Sequence, residues 1–321
     1  MKPGLIDLAA ARVGGRALIA NDEFFAPKEN LLRPGRGVLV EGKYTTRGKW
    51  MDGWETRRRR EPGHDWCIVR LGIPGVIRAV TVDTNHFRGN FPESCSLDAA
   101  APARPLTAAR LAELGDEWSE VLPRSPLRGH AENELAIKSD ARFTHVRLNI
   151  YPDGGVARLR VWGEARPDWG RLNRRRIDLA AVEHGAVPIA CSDEFFSEPA
   201  NLIMPGRPKN MGDGWETRRR RGPGHDWVVL RLGRRGVIEE IEVDTTHFKG
   251  NFPESASLEA RDGPEGAEWR ELVPRSKLRA HARHRLRPSR RAGPATHVRL
   301  NIFPDGGVAR LRLYGRVTDD A

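Results

Sequence analysis

The sequence predicts an all-β protein made of two tandem β-sandwich domains that arose by internal duplication. The fifteen residues 52–66, DGWETRRRREPGHDW, recur at 213–227 with a single change. Short segments alternate apolar and polar residues with the period of two that a half-buried strand requires. The 33 glycines and 23 prolines lie between such segments, a composition typical of sandwich and jelly-roll domains.

The duplication extends over nearly the whole chain. Three more pairs of segments match: 22–25 with 193–196, 82–97 with 243–258, and 144–163 with 296–315. The spacing is far too long for a solenoid unit, so it indicates two complete domains. We expect a first repeat at 1–163, a linker at 164–172 that is rich in proline, glycine and charge, and a second repeat at 173–321. The first repeat is longer in two places, near 36–47 and near 100–113, and insertions belong in surface loops.

Four segments of the first repeat have the strand pattern. They are 65–72, 76–83, 146–150 and 156–162. Glycine and proline between the first two predict a turn. The run Pro152-Asp153-Gly154-Gly155 predicts that the last two form an antiparallel hairpin that closes the domain. The signal for helix is weak, and we expect only a short one at 106–114.

Composition and charge narrow the functional class. The net charge of +11 is compatible with a nucleic-acid partner. However, the basic residues are dispersed among 43 acidic ones and no recognition-helix or zinc-finger pattern is present, so we predict no nucleic-acid partner. No apolar run approaches 18 residues and the N-terminus has no signal core, which predicts a soluble, unexported protein without a membrane partner. The three cysteines are not duplicated between the repeats, which excludes a repeated disulfide framework and fits a reducing cytoplasm.

The arginine run of the duplicated block is the first candidate site. If it is extended, Glu55, Arg57 and Arg59 share one face with neighbours about 6–7 Å apart. Arginine suits planar, bidentate recognition of carboxylates. A solvated charged strand is the alternative, but the run recurs intact with its tryptophan and glutamate, which favours a function. The equivalent residues of the second repeat are Glu216, Arg218 and Arg220.

Histidines and carboxylates supply candidate acids and bases. His64 titrates near neutrality, although it could instead belong to a loop His–Asp pair that bonds to the backbone. Asp83 ends a predicted strand, and the following loop, where site residues concentrate, carries further candidates. In the first repeat these are His86, Asn90 and Glu93, of which Glu93 could instead cap a turn. The equivalents in the second repeat are His225, Asp244, His247, Asn251 and Glu254.

The motifs resemble those of the allantoicase family. The resemblance rests on GWETRRRRxPGHDW, VDTxHFxGNFPESxSLxA and THVRLNIxPDGG, and covers both repeats. It implies that each repeat is a jelly-roll β-sandwich similar to galactose-binding-like domains. It also implies hydrolysis of allantoate to ureidoglycolate and urea in the breakdown of urate through allantoin. It further implies a homo-oligomer, with a hexamer as one candidate assembly.

The candidate residues suit this reaction. An arginine can bind the allantoate carboxylate, and Asp, Glu or Asn can accept the ureido N–H groups. Urea leaves poorly as an anion, so a general acid must protonate it and a general base must deliver water. His64 or His86 with Glu55, Asp83 or Glu93 could divide these roles. No cofactor is established by the sequence; a divalent ion on His86, Asp83 and Glu93 is an alternative that the weak spacing leaves open.

A tandem carbohydrate- or small-anion-binding module without catalysis is the main rival class, because the sandwich fold also carries binding sites. It predicts exposed aromatic residues, for which Trp54 and Trp66 are candidates, but tryptophan in such strands is more often in the core. Urea release from allantoate distinguishes an enzyme from a binding module.

Overall fold

In the computed structural model the chain consists of two compact units, Gly4–Arg166 and a second unit that begins at Pro167. The structure describes residues 4–172, 175–263, 266–289 and 292–318. Each unit is a β-sandwich that centres on an eight-stranded sheet, as the duplication predicts. No helix among the described residues is long and apolar enough to cross a membrane.

The first unit contains twelve strands and one helix. They are β1 (Ile6–Asp7), β2 (Arg16–Ala20), β3 (Tyr44–Thr45), β4 (Gly48–Lys49), β5 (Trp54–Glu55), β6 (Asp65–Asp83), β7 (Ser94–Ala100), α1 (Ala108–Ala112), β8 (Ser119–Pro126), β9 (Glu132–Ala136), β10 (Arg142–Tyr151), β11 (Gly155–Val156) and β12 (Arg158–Ala165). Short 3₁₀ turns lie at Ala11–Val13, Lys28–Leu32 and Gly115–Glu117.

The described part of the second unit begins with a short helix and then repeats the strand order, without counterparts of β3, β4 and α1. It contains α2 (Trp169–Leu172), β13 (Ile177–Asp178), β14 (Val187–Cys191), β15 (Trp215–Glu216), β16 (Asp226–Asp244), β17 (Ser255–Arg261), β18 (Arg270–Lys277), β19 (Arg283–Leu286), β20 (Pro294–Phe303), β21 (Gly307–Val308) and β22 (Arg310–Val317). Its 3₁₀ turns are Val182–His184, Pro199–Ile203 and Met211–Asp213. The predicted linker 164–172 comprises the end of β12 and the one-turn helix α2.

One long strand organises each sandwich. The first half of β6 pairs with β10 and β2, and the second half pairs with β12 and β9. The predicted turn between 65–72 and 76–83 is therefore wrong, because β6 runs through it. Gly72 and Gly75 permit close approach of other backbone segments there: a Cβ on Gly72 would lie 2.4 Å from Val13 O, and one on Gly75 would lie 2.2 Å from Glu164 O.

The predicted closing hairpin is also wrong. β10 and β12 flank β6 on opposite sides and do not pair with each other. The chain between them crosses over, and on the way β11 pairs with β5. Alternation along 146–150 and 156–162 predicts the strands correctly, but it carries no information on which strand lies beside which.

The apolar faces of the strands form the core. Val80, Leu148 and Ile150 are fully buried in the first unit, as the alternation along their strands predicts. The short helix α1 confirms the helix expected at 106–114; Thr107 caps it by accepting the backbone N–H of Arg110 at 3.3 Å. Of the two insertions, the one near 100–113 contains α1, and the one near 36–47 leads into the β3–β4 hairpin.

Three loops meet at one end of each sandwich. In the first unit, Thr56 N–H donates to Gly154 O at 3.2 Å, Gly155 N–H to Asn90 O at 2.8 Å, and Glu93 N–H to Tyr151 O at 2.9 Å. The segments 52–64, 84–93 and 151–157 thus form one loop cluster. The loop cluster of the second unit consists of 213–225, 245–254 and 303–309, which make the three equivalent bonds. Candidate residues from distant parts of the sequence are brought together at this end.

Candidate active site

Glu55 enters the loop cluster from a short, firmly anchored strand. Its neighbour Trp54 is fully buried, and Trp54 Nε1 donates to Asp22 O at 2.8 Å. Gly155 lies opposite Glu55 in the two-residue ladder of β5 and β11. Successive side chains of a strand point to opposite faces, so the buried tryptophan directs the Glu55 carboxyl away from the core, where it is half-buried.

Asn90 holds this carboxyl. Asn90 Nδ2 donates to Glu55 Oε1 at 2.5 Å. Burial raises the pKa of Glu55 above its usual range, although the bond from Asn90 acts in the opposite direction. A carboxyl of this kind keeps its proton to a higher pH than an exposed one and can serve as a general acid. The second repeat has the same pair, with Asn251 Nδ2 donating to Glu216 Oε1.

The buried ring of Phe87 seats the 84–93 loop on the Glu55 strand. Phe87 is fully buried, and a Cβ atom on Gly53 would lie 2.7 Å from its ring. Gly155, the ladder partner of Glu55, touches the same ring. In the second repeat Phe248 contacts Gly214 and Gly307 in the same way. The aromatic side chain therefore fixes the distance between the loop and the strand in both repeats.

A short segment of the second repeat links its histidine to this pair. His247 Nε2 lies 3.1 Å from Pro208 O, and Asn251 Nδ2 lies 3.9 Å from Met211 Sδ. Because a carbonyl can only accept, Nε2 of His247 is the donor in this contact. His247 and the Glu216–Asn251 pair thus border the same segment, 208–211. In the first repeat the equivalent of Pro208 is Gly37, whose carbonyl accepts Asn85 Nδ2 at 2.8 Å.

The arginines do not form the predicted common face with Glu55. The strand ends at Glu55, because the chain beyond it bonds to the 151–157 loop: Arg59 N–H donates to Asp153 Oδ2 at 2.8 Å. Arg57 is exposed and pairs with Asp22 at 2.6 Å through Nη2. Arg59 is half-buried and pairs with the buried Asp65 at 2.9 Å. The second repeat has the equivalent pairs Arg218–Asp193 and Arg220–Asp226.

His64 belongs to a different group of polar residues. Its ring packs on Tyr151, with 4.8 Å between centroids. Burial lowers the pKa of His64, and the Arg147 guanidinium lowers it further. On the same polar face Asn149 Nδ2 donates to Asp98 Oδ2 at 2.8 Å. In the second repeat His225 Nε2 lies 3.3 Å from Asn301 Oδ1, and its ring packs on Phe303.

Asp83 and Glu93 lie apart from the Glu55–Asn90 pair in the hydrogen-bond network, and arginines pair with Asp83 and with the equivalent of Glu93. Asp83 is buried and accepts two bonds from Arg36, at 3.0 and 3.2 Å. Glu93 is exposed, and its equivalent Glu254 pairs with Arg275 at 3.0 Å. In the second repeat Asp244 Oδ1 accepts the N–H of Thr246 at 2.8 Å. Within the described ranges no group of three or more His, Cys, Asp or Glu side chains is arranged to hold a metal ion, so His86, Asp83 and Glu93, the alternative that the sequence left open, do not form such a group.

Two histidines that sequence reasoning missed also lie beside the loop cluster. His86 N–H donates to His130 Nδ1 at 2.9 Å, and His247 N–H donates to His281 Nδ1 at 2.8 Å. The available signal was the recurrence of Arg-x-His-Ala at 128–131 and 279–282. It is short and lies in a stretch where the two repeats otherwise differ, so it does not stand out by itself.

Comparison with known proteins agrees with this duplicated architecture. The family model for the allantoicase repeat matches twice, at residues 6–166 and 177–318. A protein of Pseudomonas paraeruginosa named "Probable allantoicase" is 49% identical over 97% of this chain and 96% of its own length. "Probable allantoicase 2" of Burkholderia pseudomallei is 48% identical over 97% of this chain and 95% of its own length.

Solved structures give the same result. A crystal structure of allantoicase from Saccharomyces cerevisiae superposes with a TM-score of 0.84 at 35% identity, covering 98% of this chain and 94% of the other. A second structure, described as allantoicase, has a TM-score of 0.85 at 36% identity with the same coverage. Both units of the chain are thus included in the similarity.

Proposed function

The chain belongs to the allantoicase family and hydrolyses allantoate to ureidoglycolate and urea in purine catabolism, and we propose that it does so by acid–base catalysis in the loop cluster of each repeat. The observation that carries this proposal is the Asn90–Glu55 hydrogen bond and its equivalent between Asn251 and Glu216. Both pairs stand on a strand and a loop that the fold brings together from distant sequence positions.

Glu55 is the proposed general acid. Its raised pKa favours the protonated form, which can donate to the ureido nitrogen as the bond between that nitrogen and the central carbon of allantoate breaks. Urea then leaves as a neutral molecule. The Asn90 amide fixes the orientation of the carboxyl, and Asn251 does the same for Glu216.

His86 is the proposed general base. It lies on the same loop as Asn90, is half-buried, and has its backbone held by a hydrogen bond. A neutral imidazole can take the proton from water while the water oxygen bonds to the central carbon. One proton is donated to urea and one is taken from water, so the reaction balances as allantoate plus water giving ureidoglycolate plus urea. His247 is the equivalent base in the second repeat.

Arg57 and Arg218 are the proposed ligands of the substrate carboxylate. Both are exposed. The aspartate of each repeat accepts from Nε and from the backbone N–H of its arginine, and Asp22 also pairs with Nη2 of Arg57, so Nη1 is the nitrogen proposed to face a ligand. Arg59 is less suited because it is bound to the buried Asp65. Arginine and carboxylate form strong, directed bonds, which would orient allantoate relative to the acid.

The oligomeric state, the location and the partners of the protein are three further proposals. We propose a homo-oligomer, with a hexamer as the candidate assembly, which light scattering after size exclusion tests. We propose a cytoplasmic location, in keeping with the free cysteines Cys67, Cys95 and Cys191. We propose no nucleic-acid partner, and unchanged migration of duplex DNA and RNA in a gel-shift assay at low salt tests this.

A urea assay with purified protein and allantoate tests the activity. The expected result is release of one urea per allantoate consumed. Absence of urea between pH 5 and 9, with and without added divalent ions, would contradict the activity and favour a non-catalytic binding module. An assay after exhaustive chelation answers separately whether a metal ion takes part.

A further inference from the structure

Histidines occupy an unusual backbone conformation in both repeats. Among the described residues, the non-glycine positions with positive φ are His86 (68°), His130 (53°), His247 (73°) and His281 (49°). An L-residue pays about 1–2 kcal/mol for this left-handed region, which glycine and asparagine enter more easily. Local strain of this kind is often retained where a site requires it.

The four residues form two equivalent pairs. The His86 N–H donates to His130 Nδ1 at 2.9 Å, and the two rings lie 5.4 Å apart between centroids. The second repeat shows the same bond between His247 and His281 at 2.8 Å, with 5.7 Å between ring centroids. In each pair, therefore, one imidazole holds the backbone of the histidine that we place in the reaction.

The loops that carry each pair are joined tightly. The backbone N–H of His130 donates to Phe87 O at 2.9 Å. The two loops are therefore joined by this backbone bond as well as by the bond from the His86 N–H to the His130 ring. Thr84, which is fully buried, donates from Oγ1 to Arg128 O at 2.6 Å and accepts the Ala131 N–H at 3.1 Å. His281 and Thr245 make the same bonds in the second repeat. These bonds hold the backbone of His130 in the position from which its ring reaches the His86 N–H.

The ring nitrogen that accepts this bond must be unprotonated. The His86 N–H lies 2.9 Å from Nδ1 of His130, whereas Arg88 Nη2 lies 3.5 Å from its Nε2. A neutral imidazole has one acceptor nitrogen, and the shorter bond assigns that role to Nδ1. Loss of solvation and the nearby Arg88 guanidinium lower the pKa of His130 below its usual range; His86 and Arg36 act in the same direction and Asp83 opposes them. The neutral ring is therefore the favoured form at neutral pH.

We infer that His130 is a positioning residue, which fixes His86 for the hydrolysis of allantoate by accepting its backbone N–H at Nδ1, and that His281 does the same in the second repeat. This inference rests on the proposed place of His86 in the reaction. His130 is exposed and a glycine there would relieve the strain, but a glycine has no side chain to accept the His86 N–H. The role of His130 is to hold the base at the correct distance from the substrate.

A matched pair of substitutions tests this. In the variant His130→Gly with His281→Gly, the new residues tolerate positive φ but have no side-chain hydrogen-bond acceptor. In the variant His130→Asn with His281→Asn, they also tolerate positive φ and place a side-chain oxygen where Nδ1 stood. We expect the glycine variant to lose about 10- to 100-fold in kcat with KM within about twofold, since misplacement by an ångström has this effect. The asparagine variant should recover to within about threefold of wild type.

Hydrogen exchange of the His86 amide, measured by NMR without substrate, reports the bond independently of turnover. Exchange should accelerate in the glycine variant and be restored in the asparagine variant. Full activity of the glycine variant would overturn the inference. Equal loss of activity in both variants would also overturn it, because the imidazole ring rather than a hydrogen-bond acceptor would then be required. Absence of urea from the wild-type protein would instead overturn the proposed function.

Discussion

A Cβ atom on Gly155 would lie 2.0 Å from the ring of Phe87, so these two residues fit together only because position 155 is glycine. Gly155 is also the ladder partner of Glu55, and Phe87 lies between His86 and Asn90 on their loop. The contact therefore sets how close the proposed base and the carboxyl-binding amide come to the proposed acid.

Gly155→Ala should reduce both stability and activity. The added methyl overlaps the buried Phe87 ring, and overpacking of this kind costs about 1–3 kcal/mol in unfolding free energy. Guanidinium chloride unfolding measures this cost. Gly89→Ala is the matched control, because a Cβ at that position has no atom within 4 Å. Equal stability of the two variants would show that the Phe87 contact does not constrain the loop.

Replacement of the proposed acids should abolish turnover without unfolding the protein. The double variant Glu55→Gln with Glu216→Gln keeps an acceptor for each asparagine amide but cannot donate the proton, and we expect a loss of about 10²–10⁴ in kcat. Each single variant should keep roughly half of the activity, because independent sites contribute additively. Complete loss in one single variant would mean that only that repeat is active. Substantial turnover in the double variant would remove glutamate from the mechanism.

The raised pKa of Glu55 also predicts a dependence of stability on pH. Below the usual glutamate pKa the carboxyl is protonated in both folded and unfolded chains. As the pH rises, the unfolded chain ionises first, so stability decreases until the pH has passed the higher folded pKa. Glu55→Gln does not ionise and should therefore become more stable than wild type as the pH rises from 4 to 8. Glu93→Gln, at an exposed position of the same loop cluster, is the control and should show no such gain in thermal unfolding.

The same ionisation should affect catalysis. Only the protonated acid donates, so kcat should fall as the pH rises through the raised pKa of Glu55 in the enzyme–substrate complex. A pH profile of kcat measures this alkaline limb. A flat profile on the alkaline side would contradict the assignment of Glu55 as the acid.

Loss of the proposed carboxylate ligands should weaken substrate binding. Arg57→Ala with Arg218→Ala removes a charge-assisted hydrogen bond in each repeat, worth about 1.5–3 kcal/mol, and should raise KM for allantoate about 10- to 100-fold. Lysine at these positions should restore only part of the affinity, because it cannot bind a carboxylate with a planar fork. The neighbouring exposed Arg58, with Arg219, is the control for net charge. A larger increase in KM for the Arg58 and Arg219 variant would instead assign carboxylate binding to that arginine.

The repeat and the strand pattern made much of the fold and several of the candidate residues predictable. Recurrence of the 52–66 block identifies two equivalent domains, and alternation along 146–150 identifies a half-buried strand, because both are properties of neighbouring residues. Glu55, His86 and Asn90 could be selected as candidates because loops with polar residues recur intact. The predicted extended face with Arg57 and Arg59 is wrong, because alternation holds only as far as the strand does and the strand ends at Glu55.

By itself, the sequence determined the duplication, the all-β class, the family and the loops where polar groups collect. Only the tertiary structure decided which groups meet: Asn90 with Glu55 across 35 residues, and His130 with His86 across 44. It also joined two predicted strands into β6 and separated β10 from β12. The physical reason is that periodicity reports which face of a segment is buried, whereas partners distant in sequence are selected by packing, as the Phe87 ring against Gly155 selects the position of the 84–93 loop.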